Sequence, residues 1–459
     1  MESQKSSALI AFKAENLFSF GEGLFLSFQP EIAPDDTIVR LIPNIGSGNE
    51  KRKKPPHVVL PVLGIMGANA SGKTNALKAL DLMRHLVTTS FLAPPDARLL
   101  RPAFRGSDPA TPSLFLIEFL QSGIKFEYGF SFNDEEILDE WAAFYPKGVR
   151  TQIFERTGMD VVPGRQFAKE LTVIASTFLR NNALFLSTCA QVQSKATEKM
   201  AEWFRDNLKF VPTQLHNLGA NRSIELFKNP NSQGQMMSLV KAADLGIESM
   251  EIQPADPQER KQAQRLFEAL IQVGAINDSN PGEVPLEKRI QGGETVKFFH
   301  QFDNRYLRME PSEESQGTTT WFGLIGWILG ALSSGEVLLI DELDSSLHPL
   351  LVQEAIQLFQ DPLVNTNFAQ LVFSGHTLSV MEAKRGELAL RRDQILMADK
   401  GESGSSTIYP LSDVAKSNDE SLGKRYLQGY YGGLPALKFR RLAISEYLRN
   451  VMDSEDANR

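Results

Sequence analysis

The strongest chemical signal in the sequence is a loop of small residues whose pattern is suited to holding a phosphate chain. The loop fits G-x-x-x-x-G-K-[ST] at every fixed position, and its residues are Gly67, Ala68, Asn69, Ala70, Ser71, Gly72, Lys73 and Thr74. Glycines let the backbone wrap phosphates closely, and amides at a helix N-terminus favour negative charge. In this pattern Lys73 reaches the β- and γ-phosphates and Thr74 binds Mg²⁺. The loop therefore predicts a nucleotide site that uses Mg²⁺.

A second candidate group is a pair of carboxylates at the end of an apolar run. Asp341 and Glu342 directly follow the segment VLLI. Asp341 is placed to order Mg²⁺, directly or through water, and Glu342 is placed to orient or deprotonate the attacking water. A strand can also end in surface acids that bind no metal. The position of this pair downstream of a complete phosphate loop, and before the segment LDSSLHP, favours the catalytic interpretation.

The spacing of apolar residues indicates which elements position these groups. The run from Val62 to Met66 predicts a buried strand before the phosphate loop, and an amphipathic helix is predicted after it. Two short strands around a turn are predicted within residues 7–28, and further strands within residues 113–156. From about residue 165 to residue 275 the pattern is helical and polar. We therefore expect four regions, which are 1–165 (first part of an ATPase head), 166–275 (a mainly helical insertion), 276–400 (second part of the head) and 401–459 (a C-terminal segment completing it).

Composition limits the classes of protein to consider. The chain has 459 residues, of which 42% are apolar and 23% charged, as in ordinary globular proteins. No run approaches the ~20 apolar residues of a membrane span, and the N-terminus lacks a secretory layout. A single cysteine, Cys189, excludes an internal disulfide and a multi-cysteine metal site. We expect a cytoplasmic protein without membrane contact.

Direct binding of nucleic acid stays open at this level. The formal net charge of −8 gives no general attraction for nucleic acid. The run Lys51-Arg52-Lys53-Lys54, which precedes two prolines, fits either a solvated loop or a local contact with nucleic acid.

The order of these motifs resembles that of the ABC-type ATPases, in which two heads face each other and share the ATP sites between them. That family has a serine–glycine signature opening a helix before the acidic strand. Here Ser315 and Gly317 stand in ESQGTTT, which precedes the apolar run WFGLIGWILGAL. The resemblance implies an α/β fold, a P-loop ABC-ATPase head made of a mixed sheet with flanking helices and carrying a helical insertion. It also implies that Ser315 and Gly317 contact the γ-phosphate of ATP held by a second copy.

The same resemblance assigns three further residues. His376, which follows the run LVFSG, matches the switch histidine that senses the γ-phosphate. Asp344 lies in the loop that crosses the seam between two heads. Gln191, in NALFLSTCAQV, is our choice for the glutamine that senses Mg²⁺, and Gln121 is the alternative.

Four segments resemble the bacterial ATPases of the abortive-infection and OLD-like family, and they are FKAENLFSF, GANASGKTNALKAL, NALFLS and GKRYLQGYYGGLP. The resemblance implies an ATP-hydrolysing sensor or scaffold in anti-phage defence, which forms a homodimer or a higher homo-oligomer. Its partners would be a separately encoded toxic effector, such as a nuclease, and a phage-derived trigger. The alternative is a RecF- or clamp-like DNA-repair ATPase that binds DNA. A transporter subunit is disfavoured by the altered signature.

Overall fold

The structure is a computed structural model, and it describes residues 7–31, 40–42, 56–213, 220–254, 261, 265, 294–303, 305–384, 387–415 and 421–434. The basic run 51–54 therefore lies outside the described residues, as do most of residues 255–293 and all residues after 434.

The described chain begins with strands, continues after its first helix with five consecutive strands, and then mixes helices and strands. The strands are β1 (Ala8–Glu15), β2 (Leu24–Ser27), β3 (Arg40–Ile42), β4 (His57–Val59), β5 (Val62–Gly67), β6 (Ser113–Gln121), β7 (Ile124–Phe132), β8 (Ile137–Phe144), β9 (Thr151–Thr157), β10 (Asp160–Pro163), β11 (Leu208–Val211), β12 (Ile247–Pro254), β13 (Glu294–Phe302), β14 (Arg305–Met309), β15 (Val337–Ile340), β16 (Gln370–Gly375), β17 (Ala383–Lys384), β18 (Glu387–Leu388), β19 (Ile395–Lys400) and β20 (Ser406–Pro410). The α-helices are α1 (Lys73–Thr89), α2 (Ala168–Phe178), α3 (Phe185–Gln191), α4 (Glu198–Glu202), α5 (Ala220–Lys228), α6 (Pro230–Ala242), α7 (Gln316–Ser334), α8 (Pro349–Gln360) and α9 (Leu422–Leu427).

The largest sheet is antiparallel and has the strand order β10-β9-β8-β7-β6-β1-β2. Its strands alternate between buried and partly exposed residues, as β6 does through buried Phe115, Ile117 and Phe119. This period of two is typical of a sheet with one face on the core. The ring of Phe119 stacks on Trp203 with 4.3 Å between centroids, so the segment after α4 closes this face.

A second sheet has the order β11-β15-β16-β5-β19-β20, and its first five strands run parallel. Strand β5 has no exposed residue, because both faces of this sheet are covered. Leu63 and Ile65 face the core shared with α1 and the antiparallel sheet. Val62 and Met66 face the core shared with α7 and α8. The α/β fold class and the strand–loop–helix context of the phosphate loop are thereby confirmed.

The segment 166–275, which we expected to be a mainly helical insertion, also contributes a strand to the central sheet. Its strand β11 pairs in parallel with β15 and so belongs to the central sheet. Four residues between helical segments are too short for a periodic signal, which is why the strand is not evident in the sequence. The later helices α5 and α6 pack on α7, where Ser223 Oγ donates to the carbonyl of Phe322 over 2.5 Å. Within the described ranges, the helices are too short or too polar to cross a membrane.

Candidate functional site

The residues singled out in the sequence gather at one edge of the central sheet. In parallel strands, the carboxyl ends meet at the same edge, and ligands of open α/β sheets bind there. The phosphate loop follows β5, Asp341 follows β15, His376 follows β16, and Thr213 follows β11. Strand order alone therefore brings together residues from four distant parts of the chain.

The phosphate loop depends on its glycines for its conformation. Gly67 has φ 153° and Gly72 has φ 107°, values at which side chains are strained. A Cβ on Gly67 would collide with the carbonyl oxygen of Ala398, and one on Gly72 would collide with Ser406 Oγ. Asn69 and Ala70 are exposed at the tip of the loop, and Ser71 is buried beneath it. The backbone of the loop is therefore open to a ligand at its tip and tightly packed at both ends.

Lys73 lies buried at the start of α1, with its ammonium group folded over the loop. Its Nζ donates to the carbonyl oxygens of Gly67 at 3.0 Å and Ala68 at 2.9 Å. Burial lowers the pKa of Lys73, and the carboxylates of Glu342, Asp341 and Asp344 oppose that effect. A phosphate chain in the loop would give this cation an anionic partner within reach.

Asp341 is the centre of a hydroxyl cluster. Thr74 Oγ1 donates to Asp341 Oδ1 over 2.8 Å, and Ser374 Oγ donates to the same oxygen over 2.6 Å. Thr213 Oγ1 donates to Asp341 Oδ2 over 3.2 Å. Carboxylate and hydroxyl oxygens beside a phosphate site are the ligands that suit Mg²⁺. Thr74 and Asp341 could therefore hold this ion together, so the donor set fits the metal that the sequence implies.

Glu342 follows directly, in an uncommon backbone conformation. It has φ 52°, in the left-handed region that residues other than glycine seldom adopt. Its amide donates to Ser374 Oγ over 2.8 Å, and the amide of Leu343 donates to the carbonyl of Ser374 over 3.0 Å. Such strain is found at functional sites where the surroundings hold the residue in place. Ser374 therefore holds the carboxylate of Asp341 and the backbone of Glu342.

His376 and Asp344 are brought together beside this pair. The backbone amide of His376 donates to Asp344 Oδ2 over 2.7 Å. Partial burial of the ring lowers the pKa of His376, and the positive charge of Lys73 lowers it further. The imidazole is therefore predominantly neutral at pH 7, and a nearby anion would favour its protonation.

The signature residues make a separate set of contacts. Ser315 caps α7, with its Oγ accepting from the amide of Thr318 over 3.1 Å. A Cβ on Gly317 would lie 2.8 Å from the carbonyl oxygen of Ser346, so the signature contacts the loop after Asp344. Among the described contacts, no hydrogen bond joins Ser315 or Gly317 to the phosphate loop of the same chain.

Gln191 is not brought to the phosphate loop by its described contacts. It is exposed at the end of α3, and α3 is anchored where the amide of Leu184 donates to Ser90 Oγ over 3.1 Å. Ser90 lies at the far end of α1 from Lys73, and a helix of 17 residues is about 25 Å long. The alternative, Gln121, ends β6 in the antiparallel sheet. The identity of a glutamine that senses Mg²⁺ stays a prediction.

Three contacts of the site are not evident in the sequence. Ser374 and Thr213 reach Asp341 only through strand order, although Ser374 lies two residues before His376, the predicted switch histidine. The late segment around Gly433 contacts the phosphate loop, since a Cβ on Gly433 would lie 3.3 Å from the Cα of Gly67. Tyr426 holds this segment by donating from its hydroxyl to the carbonyl of Gly433 over 2.9 Å. The late motif thus supports the base of the nucleotide site.

The site combines a phosphate loop and an acidic strand at one sheet edge, and a serine-capped helix leads into that strand. This combination is typical of the ABC-like P-loop ATPases, and the chain is one of them. A family model described as "AAA domain, putative AbiEii toxin, Type IV TA system" matches residues 62–382. The match covers more than half of the chain, and the chain belongs to this family.

Two solved structures show a distant likeness. One is described as the crystal structure of the SmcHead bound to the C-winged helix domain of ScpA, with 11% identity, coverage of 91% of this chain and 99% of that chain, and a TM-score of 0.42. The other is the SMC head domain from Thermotoga maritima, with 14% identity, coverage of 88% and 98%, and a TM-score of 0.37. TM-scores this low carry no argument about function. No curated protein matches the sequence.

Proposed function

We propose that this chain binds and hydrolyses ATP with Mg²⁺ as a cytoplasmic switch in bacterial anti-phage defence, and that it controls a separately encoded toxic effector. The observation that carries the ATPase part is the contact between Thr74 and Asp341, because it joins the phosphate loop to the acidic strand over 2.8 Å. The defence part rests on the family and on the resemblance of the late segment to abortive-infection ATPases. The ATPase subunit of the PARIS phage-defence system is one such protein, and we propose a role of that kind.

In the proposed reaction, the residues of the site bind, orient and move a proton. The loop amides and Lys73 hold the β- and γ-phosphates, while Thr74 and Asp341 hold Mg²⁺, which neutralises phosphate charge when bound. Glu342 accepts a proton from water as the water oxygen attacks the γ-phosphorus and the bond to the β-phosphate oxygen breaks. His376 donates a hydrogen bond to the γ-phosphate.

The switch itself is the pairing of two heads. Ser315 and the Gly317 amide, at the N-terminus of α7, have the polarity that attracts an anion. Because none of their described hydrogen bonds reaches the phosphate loop of their own chain, we propose that they bind the γ-phosphate on a second copy. ATP then favours the closed pair, and hydrolysis weakens it by removing contacts on both sides.

The test of this function uses the chain co-expressed with the protein encoded beside it. We expect the two proteins to form a stable complex in size-exclusion chromatography. Addition of lysate from infected cells should release or activate the effector. The chain alone should be neither toxic nor a nuclease. In plaque assays Lys73→Ala and Glu342→Gln should abolish protection, whereas Lys78→Ala, an exposed lysine on the same helix, should retain it.

Two results would contradict the proposal. Full protection by Lys73→Ala would show that ATP does not control the effector. Tight binding of the purified chain to DNA ends at physiological salt would instead support the DNA-repair function.

A further inference from the structure

The three-stranded sheet before the signature ends in an edge strand that exposes two large apolar residues between its arginines. Its order is β12-β13-β14, so β14 lies at the edge of the described sheet. Tyr306 is 68% exposed, Leu307 is 54% exposed, and Phe302 at the turn is 71% exposed. Within the described sheet, β14 has an unpaired edge, and large exposed apolar residues on such an edge are typical of a surface that pairs with another strand.

The sequence of β14 is suited to pairing with itself. In an antiparallel pair of strands, residues that face each other lie on the same face of the sheet, whereas neighbours along one strand lie on opposite faces. When a two-fold axis relates two identical strands, this requires that one residue on the axis faces its own copy. The strand Arg305–Met309 has five residues, and only Leu307 at its centre lets all five pair. Centring on Arg305 or Arg308 would place two guanidinium groups opposite each other, which is unfavourable.

We propose that β14 pairs antiparallel with β14 of a second copy, with Leu307 on the two-fold axis. In this register Leu307 faces Leu307, and Tyr306 faces Arg308 of the second copy. The tyrosine–guanidinium contact occurs twice and is favourable in this cross-strand geometry. Arg305 faces Met309, so no like charges are opposed.

This interface is separate from the ATP-dependent one and adjoins it. On β13, His300 Nε2 lies 2.5 Å from Glu314 Oε1, and Glu314 directly precedes Ser315. Lys297 on the same strand forms an ion pair with Glu310. The hairpin is therefore tied to the segment that leads into the signature. Two distinct contacts between copies would join pairs of heads into a higher homo-oligomer.

Cysteine trapping of the full chain tests this register. The native chain has one cysteine, Cys189, which is buried, so the background of crosslinking is low. Facing Cα atoms in antiparallel pairs are about 4.5–5.5 Å apart, a distance that a disulfide spans.

Leu307→Cys should give a covalent dimer under mild oxidation without nucleotide. Arg305→Cys, whose own copy lies roughly 13 Å away in this register, should not. Mixing Arg305→Cys with Met309→Cys should restore the crosslink.

A second pair of variants keeps the test independent of disulfide chemistry. In the Lys73→Ala background, Leu307→Lys and Leu307→Glu should each reduce self-association in sedimentation velocity, because like charges meet at the axis. An equal mixture of the two should restore it. The proposal is overturned if Leu307→Cys stays monomeric, if Arg305→Cys crosslinks as fast, or if the mixture of opposite charges shows no recovery. A different protein as the occupant of this edge would give the first of these results.

Discussion

Thr74 and Asp341 are 267 positions apart in the sequence, yet the hydroxyl of one donates to the carboxylate of the other over 2.8 Å. The contact joins the end of β5 to the end of β15, which are separated in the sheet by β16 alone. Any ligand that binds the phosphate loop therefore meets the acidic strand at the same time. The proposed division of roles between binding and hydrolysis follows from this adjacency.

Lys73→Ala and Glu342→Gln should affect different steps. The first removes the cation that faces the phosphates, so we expect loss of ATP binding. The second keeps the size and polarity of the side chain but removes its ability to accept a proton, so ATP binding should persist while hydrolysis stalls. Binding is measured with a fluorescent ATP analogue and hydrolysis by phosphate release.

The control for both variants is Lys78→Ala, which removes an exposed charge from α1 without touching the loop. Equal loss of nucleotide affinity in Lys73→Ala and Glu342→Gln would contradict the assigned roles.

Ser374→Ala should slow hydrolysis without unfolding the head. The hydroxyl donates to Asp341 Oδ1 and accepts from the backbone amide of Glu342, so the Asp341 carboxylate and the backbone that carries Glu342 each lose a positioning contact. A hydrogen bond to a charged group is worth about 1.5–3 kcal/mol, so we expect kcat to fall roughly tenfold or more. Ser333→Ala, at the far end of α7, is the control and should keep normal turnover. Unchanged kcat and Mg²⁺ dependence in Ser374→Ala would exclude this positioning role.

The late segment can be tested by comparing two glycines. Gly433 has φ 68° and Gly429 has φ 85°, so alanine at either position costs about 1–2 kcal/mol of backbone strain. Only at Gly433 would the new methyl group press on the phosphate loop. We expect similar losses of thermal stability in both variants and a roughly threefold to tenfold weaker ATP affinity in Gly433→Ala alone. The same affinity in both variants would show that the segment does not support the nucleotide site.

Protonation of His376 should be linked to ATP binding. Its pKa is lowered in the free chain, mainly by partial burial and then by Lys73, so the ring is neutral at pH 7. A γ-phosphate beside the ring would favour the charged form and raise that pKa. Binding should therefore take up protons, and affinity should increase as pH falls from neutral toward the lowered pKa of the free ring.

Calorimetry in buffers of different ionisation enthalpy measures this uptake directly. His376→Gln should abolish the uptake and flatten the pH dependence of affinity. Proton uptake of the same size in the variant would assign it to another group.

The sequence predicts the parts of the site whose residues are consecutive. The phosphate loop and the pair Asp341–Glu342 are local patterns flanked by apolar runs, and strand–loop–helix periodicity identifies both. The contacts of Ser374 and Thr213 depend on the order of parallel strands, which no local pattern encodes. The strand Leu208–Val211 is missed for a related reason, since its membership of the central sheet depends on a partner far along the chain.

The assignment of Gln191 as the residue that senses Mg²⁺ stays a prediction. It rests on the position of a glutamine after an apolar segment within a resembling motif. The contact of Leu184 with Ser90 places α3 at the far end of α1, and this depends on how the antiparallel sheet packs. Tertiary packing decides such positions, and the sequence pattern does not contain it.

The central claim, that each ATP site is shared between two copies, can be tested by mixing two inactive variants. Lys73→Ala loses the phosphate contact of its own head, and Ser315→Arg loses the contact made to the other head. A mixed pair has one site in which both Lys73 and Ser315 are intact. We predict that an equal mixture shows ATPase activity clearly above that of either variant alone. Formation of mixed pairs, shown by affinity tags, with no gain in activity at any ratio would contradict a shared site.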